Sequence, residues 1–293
     1  FGRQLAAQAV DIRRAVVDGI TAHVAAARAL EREQQIAPAQ RLQAEAALEE
    51  ARREAEKANA DLAAADLALA GLLRSDAPIS PVTPLAVPPA ALPPADDFVA
   101  TAFDRHPALK RLEASVKLAG AGVAAEQAQL RPTVYAVAQY NLDRRDTLIT
   151  DPDFIFGVGV KYRLFSGQGR SADVAAARAT RSQAEAGVRE AQVQIETGVR
   201  VAHAQARSAR ERHALYGRTI AAADEALRVA RLSFAELQGT SRDVTDAQIG
   251  AGRVRVEQAR AAHEALDALV TLLQVSGQLE RLPDFLGPGT IKP

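Results

Sequence analysis

Asp243 and Asp246 lie three residues apart, just beyond the break Gln238-Gly239-Thr240-Ser241-Arg242, so on a helix they share a face. Carboxylates in that place fit two roles. They can cap a helix amino terminus and complement its dipole, or, repeated about a symmetry axis, form an acidic ring that narrows a pore and selects cations. Arg242 beside them is either the partner in a pair between subunits that holds such an entrance closed or a solvated arginine. Lys161 and Arg163 occupy the polar side of an alternating segment and suit either the wall of a water-filled lumen or a rim from which long side chains snorkel. The five histidines (23, 106, 203, 213 and 263) have no ligand spacing on a common helix face, and there is no cysteine, so no metal site is expected. Gly167-Gln168-Gly169 lacks the rest of a phosphate loop and reads as flexible backbone where a strand bends into a helix. No nucleophile stands with a base. Neither an enzyme nor a cofactor is expected.

The elements that position these groups are mostly long helices. With 293 residues, 4% aromatic and rich in alanine, the chain suits helices in contact along their length better than a thick globular core. Thirty-six basic residues balance 36 acidic ones, which gives no footprint for nucleic acid. No apolar run is long enough for a membrane-spanning helix. A β-barrel needs only about 9 to 11 alternating residues per strand and stays open. The sequence starts Phe1-Gly2-Arg3 and reads as a mature or truncated fragment.

In chain order, apolar spacing predicts a helix over 3–34, a break at Ile36-Ala37-Pro38-Ala39, and a helix over 40–74 with a stripe from Leu48 through Ala51, Ala55, Ala58, Leu62, Ala65 and Leu69 to Leu72. Seven of the fourteen prolines fall in residues 75–95, a linker of extended chain. A short helix capped by Asp96 or Asp97 should stop before Pro107, and another should cover about 108–130. Val134, Ala136, Ala138 and Tyr140 mark one face of a strand over 133–141, with Tyr135 and Val137 blurring the alternation. After a polar loop, Phe154, Phe156, Val158, Val160, Tyr162 and Leu164 mark one face of a second strand, with Gly157, Gly159, Lys161 and Arg163 on the other. Half of the twelve aromatic residues lie in 133–165, as a lipid-facing band requires.

From about Gln168 the sequence predicts a helix of about 70 residues, roughly 105 Å long. One heptad position runs Gln192, Val199, Ala206, His213, Ile220, Leu227, Phe234, and the other reaches Leu237 through Ile195, Ala202, Ala209, Tyr216, Ala223 and Ala230. The return helix carries Val244, Ala251, Gln258, Ala265, Leu272 and Ala247, Val254, Ala261, Ala268, Val275. Alanine lets axes approach closely and lets one helix touch neighbours on two sides. Arg41-Leu42-Gln43-Ala44-Glu45 after the first turn weakly parallels Val244-Thr245-Asp246-Ala247-Gln248 after the second.

Strand, loop, strand, Leu164-Phe165-Ser166-Gly167-Gln168-Gly169-Arg170, the long helix, the tip Gly239-Thr240-Ser241-Arg242-Asp243-Val244-Thr245-Asp246-Ala247, the return helix and Leu272-Leu273-Gln274-Val275-Ser276-Gly277 together resemble the TolC-type outer-membrane channel family. His106-Pro107-Ala108-Leu109 resembles the start of that family's second structural repeat, and residues 40–74 the end of its first. The resemblance implies a mainly α fold, with long antiparallel coiled-coil helices forming an α-barrel tunnel and a β-hairpin contributing to a trimeric transmembrane β-barrel. It implies an outer-membrane location with the helices in the periplasm, and a homotrimer that meets outer-membrane lipid, a periplasmic adaptor and an inner-membrane transporter. Its role would be the passive exit duct of a tripartite efflux pump or type I secretion system, gated at the helix tips. Phe154, Phe156, Val158, Val160, Tyr162 and Leu164 would then face lipid, Lys161 and Arg163 the lumen, and Arg242, Asp243 and Asp246 the gate.

The expected partition is a partial first-repeat hairpin (1–74), a proline-rich linker with a short equatorial helix (75–107), a second-repeat helix (108–131), a transmembrane β-hairpin (132–166), a long helical hairpin (167–280) and an irregular tail (281–293). Two departures stand out. The first helix is about half the length of its counterpart in the family. Leu237 also stands where the family tends to place glycine, and Gln40 where aspartate is common. The rival reading is a periplasmic coiled-coil adaptor or scaffold without a pore, and a third is a soluble coiled-coil protein. The latter would leave the aromatic face of 154–164 in water, an aggregation hazard.

Overall fold

A computed structural model describes residues 1–75, 79–88, 91–140, 154–162 and 169–286. The helices are α1 (Gly2–Arg32), α2 (Pro38–Leu73), α3 (Ala95–Arg105), α4 (Pro107–Ala128), α5 (Gly169–Ala235), α6 (Ser241–Val275) and α7 (Leu282–Leu286). The strands are β1 (Thr133–Tyr140) and β2 (Phe154–Lys161). The mainly α class with one β-hairpin is the class the sequence implies. The chain forms two units, one of residues 1–102 with 197–293 and one of residues 103–196.

In the first unit α6 is the helix with the most buried residues among those described. Its two expected seams are buried or half-buried, and Gly252, Val256, Ala259, Ala262, Leu266, Leu269 and Leu273 are buried as well. Small residues make this possible. A Cβ on Gly252 would stand 2.3 Å from Val16 Cγ2, and one on Gly19 would stand 2.6 Å from the Gln248 carboxamide. Backbone of α6 therefore lies directly against side chains of α1, and backbone of α1 against a side chain of α6. Val16, Ile20 and Val24 of α1 close a core with Ala44, Leu48 and Ala51 of α2, on which Ile249 of α6 packs. At the other end Leu85 of the linker and Leu286 of α7 cover Ala259, Ala262 and Leu266. Gln4 ties the linker down by donating from Nε2 to the carbonyls of Pro81 and Thr83, at 2.6 and 3.0 Å.

The two helical turns share one design. Gln34 and Leu237 both adopt left-handed φ, 59° and 61°. The next residue in each case donates its N–H to the carbonyl five back, Gln35 to Leu30 at 2.9 Å and Gln238 to Ser233 at 2.8 Å. Pro38 and Ser241 then open α2 and α6 at the same distance beyond. The weak sequence parallel between the turns is thus a geometric repeat. Leucine at the left-handed position costs about 1 kcal/mol relative to the helical region, a cost glycine would avoid.

Four expectations change. The α2 stripe is buried only as far as Ala58, and Leu72 is 82% exposed. Arg3 at the start of α1 bonds to Asp66 at 2.8 Å, so α2 outruns its partner there and the later heptad positions have no α1 to meet. Leu237 is exposed rather than in the α5 seam, because its left-handed φ ends the helix before it. The stretch expected as an irregular tail opens with α7, in which Pro283 lies in the first turn, where no amide donor is needed. α4 begins at Pro107 rather than 108, with His106 as its cap and the Ala108 N–H donating to Nδ1 at 3.3 Å.

In the second unit β1 and β2 pair antiparallel, with Thr133 opposite Lys161 and Tyr140 opposite Phe154. Residues directly opposite share a face. Val134, Ala136, Ala138 and Tyr140 therefore join Val160, Val158, Phe156 and Phe154 on one face. Thr133, Tyr135, Val137 and Gln139 share the other with Lys161, Gly159, Gly157 and Ile155. The position of Tyr135 in that register explains its break in the alternation. Its ring lies across Gly159, where a Cβ would come within 2.6 Å of Cζ. The glycine face of β2 is a bed for an aromatic ring.

Close backbone approach gives a direct test. Gly252→Val is expected to lower the unfolding free energy by about 1–3 kcal/mol through overpacking against Val16. Gly250→Ala, whose Cβ meets open space, should be neutral or raise it by up to about 1 kcal/mol. Urea unfolding followed by circular dichroism measures both, and equal stabilities would remove the close-packing argument.

Candidate functional site

Gln238, Gly239 and Thr240 join α5 to α6 at the tip of the first unit, and sequence and geometry there combine to join four helices. Thr240 is the N-cap of α6. Its backbone N–H and hydroxyl donate to Asp243 Oδ2 at 2.8 and 2.7 Å, and the Asp243 N–H returns a bond to Thr240 Oγ1 at 3.3 Å. This is a full capping box, with aspartate in the position more often held by glutamate. The bonds from the Thr240 backbone and then its hydroxyl hold the Asp243 carboxyl below its ordinary value. Asp246 pairs instead with Arg242, Nε to Oδ2 at 3.4 Å, one turn apart within the same helix. All three side chains face solvent. Capping is thus a present role of Asp243, and Arg242 has an intrachain partner.

Ser241, fully buried, is where α6 meets α1 and α2. Its hydroxyl shares a hydrogen bond with His23 Nε2 at 2.8 Å, and its N–H donates to Gln40 Oε1 at 3.1 Å. Gln40 occupies in the first turn the place that Asp243 occupies in the second. Where Asp243 caps its own helix, Gln40 reaches across to the neighbouring one. His23 is 8% exposed and meets the Phe234 ring edge-on, with centroids 4.6 Å apart. Phe234 in turn packs with Ala27 and Val244. About two turns further along α6, the buried Gln248 accepts from Arg231 Nη2 of α5 at 2.6 Å. Burial pushes the His23 imidazole below its ordinary value of 6.5, and the Arg231 charge adds to this, while the bond to Ser241 opposes both.

The α1–α2 hairpin is fastened separately. Arg28 donates to Glu45 Oε1 at 2.8 Å, while Arg41 bridges Glu45 and Glu31 at 2.6 Å each. His23, Ser241 and Gln248 escape a reading by ligand spacing, since their partners lie on other helices. The available signals were a histidine on the apolar face of α1 and the substitution of glutamine at position 40.

At the hairpin of the second unit, Phe154, Phe156, Val158 and Val160 lie on the apolar face, and Tyr162, just past β2, is exposed with them. Lys161 is exposed on the opposite face beside Gly159 and Tyr135. Arg163 and Leu164 lie outside the described residues. Among the described residues no group of three or more His, Asp or Glu side chains is placed to hold a metal ion, and no helix is long and apolar enough to cross a membrane.

Comparison with known proteins follows this geometry. A family model described as outer membrane efflux protein matches residues 99–278. Among solved structures, the chain is similar to the channel CusC (18% identity, TM-score 0.74, covering 94% of this chain and 66% of that one). It is also similar to the open state of the Neisseria gonorrhoeae outer membrane channel MtrE (19%, 0.73, 95% and 64%). The outer-membrane channel OprN gives 19%, 0.72, 94% and 64%. No curated protein matches the sequence. The chain thus spans just under two thirds of the length of these structures. Members of the matched family are passive outer-membrane channels with their helices in the periplasm, and are not enzymes. With that match covering more than half of its length, the chain belongs to the outer membrane efflux protein family.

Proposed function

We propose that the chain is a protomer of a homotrimeric outer-membrane channel, the exit duct of a tripartite efflux pump or a type I secretion system. The observation that carries this reading is the β1–β2 hairpin. One face is continuous and apolar, the other holds Lys161, Thr133 and Gln139, and both are exposed. A lone two-stranded hairpin is marginal in water. Strands from neighbouring protomers would satisfy its edges, lipid would cover Phe154, Phe156, Val158, Val160 and Tyr162, and Lys161, with Arg163 two residues on in sequence, would line the lumen. The duct is passive, and an inner-membrane transporter supplies the energy. A periplasmic adaptor contacts the tips.

The gate of this channel is the α5–α6 tip. Asp243 and Asp246, on one face of the first turns of α6 and repeated by threefold symmetry, narrow the entrance as a carboxylate ring that favours cations. The cap made by Asp243 is compatible with that role, because Oδ2 takes both of the bonds from Thr240. A scaffold without a pore gives no reason for a hairpin with an exposed aromatic face.

Fractionation of cells expressing the full-length protein, with planar-bilayer recording of the purified material, tests the reading: trimeric outer-membrane protein with discrete channels is expected, and soluble protein without conductance would overturn it. Val158→Arg should block membrane assembly, at a cost of about 2–4 kcal/mol for a site near the bilayer midplane. Normal assembly of that variant would remove the lipid-facing assignment. Replacing Asp243 and Asp246 together by asparagine should lower cation over anion permeability by a measurable shift in reversal potential. An unchanged potential would leave Asp243 as a cap alone.

A further inference from the structure

The buried histidine at the tip is used by neither the cap nor the carboxylate pair. We infer that His23 is a positioning residue for the gate: neutral, it holds the first turn of α6 against α1, and on protonation in mild acid it releases that turn and opens the entrance. This rests on the assignment of the α5–α6 tip as the gate.

The argument is one of charge and surroundings. His23 is enclosed by α1, by Phe234 of α5 and by Ser241 at the start of α6. Among the described residues the His23 ring bonds to the Ser241 hydroxyl, and the charge that acts on it is that of Arg231. On α2, Gln40 is neutral and already accepts from Ser241, and Arg41 is committed to Glu31 and Glu45. On α5, Arg231 presents a like charge, and Arg228 is paired with Glu225. On α6, Asp243 is held by Thr240 and Asp246 by Arg242, and both are exposed. The first N–H groups of α6 add the positive end of a helix dipole on the same side. A cation at His23 therefore faces repulsion from α5 and α6 without compensation from α2.

The sign follows from linkage. A histidine whose packed-state value is depressed binds fewer protons packed than solvated, so the packed arrangement strengthens as pH rises. It is fully favoured above about pH 6.5 and weakens as pH falls below that. Asp243, held low by Thr240, keeps its charge across this window. Release at the tip of α6 breaks the Ser241 contacts to His23 and Gln40, the Arg231–Gln248 bond and the packing of Val244 against Ala27 and Phe234. The α1–α2 hairpin has its own ion pairs and stays whole.

Two measurements on the full-length protein test this. In planar bilayers, the open fraction of the wild type should rise about threefold or more between about pH 7.5 and about pH 5, and His23→Gln should abolish the rise. Because the sequence has no cysteine, spin labels at Gln35→Cys and Gln238→Cys report the separation of the two turns whether or not channels are seen. The distance should lengthen in acid with His23 and stay constant with His23→Gln. Channels with a pH response unchanged by His23→Gln, or an acid-independent label distance in the wild type, would overturn the inference while leaving the channel intact. Absence of channels at every pH would instead count against the gate's parent reading, and the label distance would then decide His23 alone.

Discussion

Close approach of α6 to α1 is the constraint on which the rest of the first unit depends. Gly252 under Val16 and Gly19 under Gln248 leave no room for a Cβ on either helix, so the axes meet at a distance fixed by backbone. Alanine alternates with leucine and valine on the remaining faces, which α6 packs against α1, α2, α5, the linker and α7. Such a helix has few ways to move sideways. Its freedom lies at the end, where polar contacts replace the alanine seam.

That change in chemistry at the tip gives the fold a hinge of hydrogen bonds on a rigid body of apolar contacts. Hydrophobic seams lose energy roughly in proportion to the area they expose. A hydrogen bond between protein groups exchanges with water at a net cost of about 0.5–1.5 kcal/mol. Motion at the tip breaks the contacts of Ser241 and Gln248 and the packing of Val244 against Ala27 and Phe234, and leaves the longer seam intact. Asp243 keeps α6 capped throughout, because both partners of the capping box, Thr240 and Asp243, travel with the helix.

The second unit follows different physics. Its strands have no apolar core of their own, and their order comes from pairing and from Tyr135 lying over Gly159. The apolar face awaits a nonaqueous neighbour. In the proposed channel a membrane and two further protomers would supply what a single chain lacks, the condition for any open-edged hairpin that is to sit in lipid.

The sequence by itself determined the six longer helices, the strand pair and its sidedness, because apolar periods of 3.5 and 2 are local and survive in one chain. It also determined the cap at Asp243, since a carboxylate three residues after a threonine at a helix start acts within one turn. Tertiary structure alone decided that the α2 stripe is half-buried beyond Ala58 and exposed by Leu72, since α1 begins opposite Asp66. It alone decided that Leu237 leaves the seam, and that the Tyr135 ring lies over Gly159. It alone brought His23, Gln40 and Ser241 together. Those three belong to different helices, and nothing in their spacing along the chain encodes a contact that arises only when helix axes are close enough for small polar groups to touch.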